Sequence, residues 1–190
     1  MAKIGLQYPV FAPITSEEGG AITYGSGVVM GRAVSANLTW ETQDNKLYAD
    51  DAVAETDNSI TGYTLDIETS EMTEAVEAAV LGYAKVGSTE EYEVTDDGGP
   101  EGGCGYIQVL KRYGVLGYKA FWYPRIQFGV QNDNSATKAN SISWGTPSIH
   151  GIGSVVDATA AGKKKFRNHQ YFTTMAAAKA YLNGKVGISG

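Results

Sequence analysis

The 190-residue chain is poor in the residues from which most enzyme and metal sites are built. It holds one cysteine, Cys104, and two histidines, His150 and His169. A single cysteine excludes an internal disulfide, and with two separated histidines it makes no structural zinc site unless carboxylates join in. No apolar run approaches the ~20 residues that span a bilayer. The opening Met-Ala-Lys-Ile-Gly-Leu-Gln-Tyr-Pro also lacks the apolar core of a secretory leader. The expectation is a protein made and folded in a cytoplasm, with no membrane partner. Catalytic motifs are missing too. Ser26 sits in Gly25-Ser26-Gly27, which reads as a turn, and nothing in the sequence places a base beside a nucleophile. Gly98-Gly99-Pro100-Glu101-Gly102-Gly103 carries an acid and lacks the Gly-Lys-Ser/Thr of a phosphate loop. Asp50, Asp51, Glu55 and Asp57 lack the alternating ligands and central glycine of a calcium loop. We therefore expect no catalytic residues, no cofactor and no metal.

What is abundant points to strands. There are 24 glycines and 12 tyrosines, and Tyr, Val, Ile and Thr separated by glycine turns favour many short strands. Charge is unevenly spread. Residues 1–101 hold 19 acidic and 4 basic residues, a formal −15, whereas residues 102–190 hold 11 basic and 2 acidic, a formal +9. Either the halves neutralise each other within one domain, or two faces of opposite sign help copies meet head to tail.

Along the chain, residues 1–14 are interrupted by Pro9 and Pro13 and read as an extended arm with at most an edge strand. A turn at Glu17–Gly20 precedes a strand Ala21–Tyr24. Arg32–Glu41 alternates, with Val34, Ala36, Leu38 and Trp40 on one face. Ser59–Glu68 does likewise, with Tyr63, Leu65 and Ile67 inward and Thr64, Asp66 and Glu68 outward. Between them lies a 17-residue loop, Thr42–Asn58, too long for a hairpin turn. A helix is expected over Glu71–Leu81, capped by Ser70 and stopped by Gly82, with Met72, Val76, Ala79, Val80 and Tyr83 as its apolar stripe. Glu90–Val94 reads as a short strand and Asp96–Gly105 as a flexible turn. Strands follow at Tyr106–Tyr113, Tyr118–Tyr123 and Arg125–Val130, with Gly114–Gly117 joining the first two and Pro124 breaking the next pair. Asn132–Ser135 is a turn and Thr137–Trp144 a strand. Ile149–Val156 is extended but loosened by Gly151 and Gly153, and Lys163–Tyr171 is a last strand. Thr174 caps a short helix with Met175, Ala178 and Leu182 on one face, ended by Gly184. The sum is a mainly β chain of one domain, residues 1–190: an antiparallel β-sandwich or partly closed barrel with one flanking α-helix and a short C-terminal helix.

Three segments carry a resemblance. Lys46-Leu47-Tyr48-Ala49-Asp50-Asp51-Ala52-Val53-Ala54-Glu55, the opening Ala2-Lys3-Ile4-Gly5-Leu6-Gln7-Tyr8-Pro9-Val10, and Gly31-Arg32-Ala33-Val34-Ser35-Ala36-Asn37 together resemble the major tail protein family of phages with long, non-contractile tails. The acidic helix Glu71–Gly82 and the aromatic run Tyr118–Pro124 extend the likeness. It spans most of the chain and is weakest in the C-terminal third. The resemblance implies a tail tube subunit of the virion, made in the bacterial host. Six copies would close into a ring, and rings would stack into a tube through which viral DNA passes without specific binding. Its partners would be further copies of itself and other tail proteins at the tube ends.

On that reading Thr42–Asn58 is the loop that reaches a neighbouring ring, with Leu47, Tyr48, Asp50, Asp51, Val53 and Glu55 as the inter-ring contacts. Leu47, Tyr48 and Val53 are too apolar for a free solvated loop. Asp66 and Glu68 are candidate lumen-facing acids that would repel DNA phosphates. Lys163, Lys164 and Lys165 form a basic patch suited to an acidic partner surface. Nucleic-acid contact with Phe166 stacking on a base is the rival reading of that patch. The main rival for the whole chain is a carbohydrate-binding or adhesion module using Trp40, Trp122 and Trp144 as an exposed platform. A phage ring or decoration protein of related fold is another.

Overall fold

The computed structural model describes residues 2–49, 52–129, 146–156 and 164–188. Among the described residues the fold consists of antiparallel strands and two helices, with no closed barrel. In chain order the elements are β1 (Ala2–Glu18), β2 (Ala21–Tyr24), β3 (Val28–Val29), β4 (Ala33–Thr42), β5 (Asn45–Ala49), β6 (Ala52–Asp57), β7 (Ile60–Thr69) and α1 (Glu74–Leu81). They continue with β8 (Ala84–Lys85), β9 (Tyr92–Glu93), β10 (Glu101–Arg112), β11 (Val115–Phe128), β12 (Ser148–Gly153), β13 (Asn168–Phe172) and α2 (Met175–Val186).

Nine strands share one sheet in the order β2-β1-β10-β11-β12-β7-β4, with β3 added beside β1 and β13 beside β11. The strand β11 makes the architecture. One edge pairs with β10 along most of its length. Its other edge divides: Tyr118–Trp122 pairs with β13, and Ile126–Phe128 pairs with β12. The branch through β12, β7 and β4 thus folds over one face of β1, β10 and β11, as the two layers of a sandwich do.

Each face of the β1–β10–β11 layer is covered. Phe11, Cys104, Tyr106, Phe121 and Tyr123 point toward the β7 branch and meet Tyr63, Leu65 and Ile67, with Val80 and Leu81 of α1 joining the same core. The alternate residues Val10, Ala12, Ile107, Ala120 and Trp122 point to the opposite side, where Ala178, Leu182 and Val186 of α2 cover them. Period-2 alternation thus assigns successive residues of β11 to two different cores.

Several expectations need correction. The N-terminal segment is no arm: β1 runs for 17 residues and pairs with β10 on one side and with β2 and β3 on the other. Val34 is 49% exposed, because a register shift between Ala33 and Ser35 turns it off the face shared by Ala36, Leu38 and Trp40. The segment 42–58 is mostly a hairpin, β5–β6. The first helix starts at Glu74 with Thr73, not Ser70, at its N-cap, and Thr73 makes no side-chain capping bond. Ser70 is held back because its N–H donates to the Arg32 carbonyl, which prolongs sheet-like pairing beyond β7. Strand β10 begins at Glu101, inside the expected flexible turn. There, Cβ atoms at Gly102 and Gly103 would strike Phe11 and Trp122, so these glycines let rings lie on the strand. A two-residue turn at Tyr113-Gly114, both with positive φ, joins β10 to β11. Pro124 leaves β11 unbroken. The last strand is shorter than expected, Asn168–Phe172, and α2 passes through Gly184 to end at Gly187. The expected turn at Asn132–Ser135 and strand at Thr137–Trp144 lie outside the described residues.

Candidate functional site

The hairpin β5–β6 forms a two-stranded sheet of its own, paired from Asn45↔Asp57 to Ala49↔Ala52. It interrupts β4 and β7, which pair side by side in the main sheet. Of its residues whose side chains are described, Asn45, Lys46, Glu55, Thr56 and Asp57 are all exposed. Glu55 therefore stands on the hairpin surface. Leu47, Tyr48 and Val53 lie within the two strands, and Asp50 and Asp51 lie outside the described residues.

Asp66 and Glu68 project from the outer face of β7, opposite buried Leu65 and Ile67. Cross-strand neighbours hold both. Asp66 Oδ1 lies 2.5 Å from His150 Nδ1 on β12, and Glu68 accepts from Ser35 Oγ at 3.0 Å and from the Thr146 hydroxyl. The result is a polar sheet face, with its acids partly tied down.

Of the basic patch, Lys163 lies outside the described residues. Lys164 is exposed, and Lys165 is half-buried in an antiparallel bridge to Val156. Phe166 is partly buried and packs edge-on with Trp40, with ring centroids 6.3 Å apart.

A cationic cleft of about 500 Å³ opens elsewhere, and the sequence reading missed it. It forms where the core between the two layers runs out. On β11 the inward residues run Tyr123, Phe121, Lys119, and on β10 they run Tyr106, Gln108, so apolar lining gives way to polar lining at one end. Lys3 from β1 and Asn37 from β4 complete the rim. Arg167 spans the gap. Its guanidinium carbon lies 5.2 Å from the Trp40 ring centre on the β4 side and 5.0 Å from that of Phe121 on the β11 side. Lys119 Nζ lies 5.2 Å from the same Phe121 ring. Among the described residues no carboxylate lines the cleft or pairs with Lys3, Lys119 or Arg167. The uncompensated field registers on His169 beside it, whose pKa is lowered chiefly by Lys119, then by partial burial and Arg167. These cations come from positions 3, 119 and 167, and no local pattern links them.

The groups considered for catalysis are scattered. Cys104 is buried in the core, and burial pushes its thiol pKa up, away from the reactive thiolate. His150 is engaged with Asp66 on the outer face of the sheet, while His169 sits by the cleft. Among the described residues no group of three or more His, Cys, Asp or Glu could hold a metal ion. No helix among them is long and apolar enough to cross a membrane. Trp122 is buried between β11 and α2, and Trp40 packs against the core with Tyr63 at its edge, so neither forms a flat exposed platform. Trp144 lies outside the described residues.

No protein-family model matches the chain, and no curated protein matches it.

Proposed function

We propose that this chain is a structural subunit of a phage tail tube, closing into rings that stack through the hairpin β5–β6. One observation carries the reading: the hairpin is a separate two-stranded sheet whose described side chains are all exposed. A two-stranded hairpin is marginal alone, so one built outside the main sheet gains most from docking on another surface. The sequence resemblance assigns the same segment to contact between rings. Among the described strands β4 ends the main sheet, and a sheet edge is a second natural contact between copies. A ring contact closes by rotation, whereas an axial contact that does not close gives a tube. The polar face bearing Asp66 and Glu68 is the candidate lumen lining. DNA would pass it without specific binding, the acids repelling phosphates. The place of action would be the virion tail, with other tail proteins at the tube ends.

The test is removal of Lys46–Asp57 and its replacement by a short turn. The variant should keep the far-UV spectrum of the parent and lose long tubes in negative-stain micrographs of concentrated protein. Normal tubes from the variant would dismiss the hairpin as coupler. Closed single rings from the intact chain, at every concentration, would favour the ring or decoration protein instead.

A further inference from the structure

We propose that the cationic cleft between β4 and the β10–β11 face receives the acidic hairpin β5–β6 of a second copy of this chain; this rests on the self-assembly reading above. The charged groups of the cleft call for carboxylates. Lys3, Lys119 and Arg167 converge on it with no acid among the described lining residues, and Gln108 and Asn37 add amide donors. Arg167 is held between two rings, so its donors are already oriented and little entropy is lost when a carboxylate binds. The hairpin and its stem offer the complement: Glu55 and Asp57 are exposed and in no ion pair among the described residues, while exposed Asp44 lies 3.5 Å from the single Lys46.

The occupant comes from another molecule because of where the hairpin leaves. The cleft touches β4 at Ala36, Asn37 and Leu38, and the hairpin begins at Asn45. Seven residues of extended chain carry it roughly 20 Å past the cleft. None of the described hairpin residues lines its own cleft. Donor and acceptor surfaces so separated on one chain give a heterologous contact, which propagates from copy to copy. Nucleic acid is the weaker candidate, since a net charge of −6 opposes phosphates at long range.

Charge reversal in the full-length chain tests the assignment. The cleft variant carries Lys3→Glu and Lys119→Glu, both outside the packed core, and the hairpin variant carries Glu55→Lys and Asp57→Lys. By sedimentation velocity at low salt, each variant alone should self-associate about tenfold more weakly or worse, since like charges are then forced together. An equimolar mixture should recover association, because a negative cleft then meets a positive hairpin. Recovery also shows that neither variant is misfolded. Wild-type association by the cleft variant, or no recovery in a mixture of two folded variants, overturns the assignment and leaves the tube reading standing. A wild-type chain that stays monomeric at every concentration overturns both. Single-stranded DNA binding that the cleft reversal abolishes, with self-association unchanged, would give the cleft to phosphates and overturn the proposal.

Discussion

A β-carbon built on Gly153 would lie 1.9 Å from Cζ of Tyr63, well inside any tolerable contact. The ring cannot easily withdraw. Its hydroxyl donates to the Arg125 carbonyl at 2.7 Å, and the rings of Trp40 and Tyr123 stand 5.7 and 5.3 Å away. Gly153→Ala should therefore lower stability by about 1–3 kcal/mol or more, the range for an overpacked core. An earlier denaturant midpoint with an unchanged slope would show it. In sequence this glycine reads as a loosening of strand β12, whereas in the structure it lets two layers meet. One-dimensional pattern marks a glycine but not the ring opposite it, which arrives from a strand 90 residues away. Tyr63 itself was legible, because alternation with Leu65 and Ile67 fixes its face. Val34 was not, because a bulge shifts the alternation by one residue and leaves no mark in the sequence.

The helix α2 shows what an element contributes once its face is known. Thr174 caps it, accepting from the Ala177 N–H, and Leu182 is fully buried against the layer that holds Ile107 and Trp122. Leu182→Ala should cost about 2–5 kcal/mol, the range for deleting a buried leucine side chain. Gly184 lies in the same helix with nothing within 4 Å of an added methyl group. Gly184→Ala should instead stabilise the protein by up to ~1 kcal/mol, the helix penalty of glycine. Thermal unfolding of the two variants should shift in opposite directions. The cap and buried face of this helix were readable because both are local. The longest strands were misread because proline was taken as a break. Pro124 sits where β10 has a register shift between Gly102 and Cys104, and where the other neighbour of β11 changes from β13, ending at Trp122, to β12, starting at Ile126. A missing N–H costs little there. Pro9 likewise falls in the register shift of β1 between Gln7 and Val10, with its carbonyl accepting from Met30. The hairpin β5–β6 was read as loop because strands that pair only with each other lack the burial that makes alternation visible.

Across the whole molecule the two charge halves of the sequence interleave: the acidic half supplies β1 to β9 and α1, the basic half supplies most of β10 and all of β11, β12, β13 and α2, and β1 beside β10 and β12 beside β7 mix them in the main sheet. The two halves neutralise each other only in part. Among described residues of the basic half, Arg125 is the only lysine or arginine in an ion pair, meeting Glu17 and, at 3.8 Å, Glu101. Lys111, Lys119, Lys164, Lys165, Arg167, Lys179 and Lys185 have no carboxylate within 4.0 Å among those residues. A body with unspent charge of both signs on different surfaces attracts its own copies in one relative orientation, and this attraction acts before contact. Salt screens such steering, the Debye length falling from about 30 Å at 0.01 M to about 8 Å at 0.15 M. If copies of this chain assemble through complementary surfaces, the rate of growth followed by light scattering should fall steeply over that range, and the dissociation rate should change less. Growth indifferent to salt would place the driving force in apolar contact. The exposed Tyr113, Val115 and Leu116 at the β10–β11 turn would then be the first surface to mutate. The variant with reversed charges at Lys3 and Lys119 separates the two cases further: under electrostatic steering it should grow slowly at low salt and quicken as salt screens the introduced repulsion.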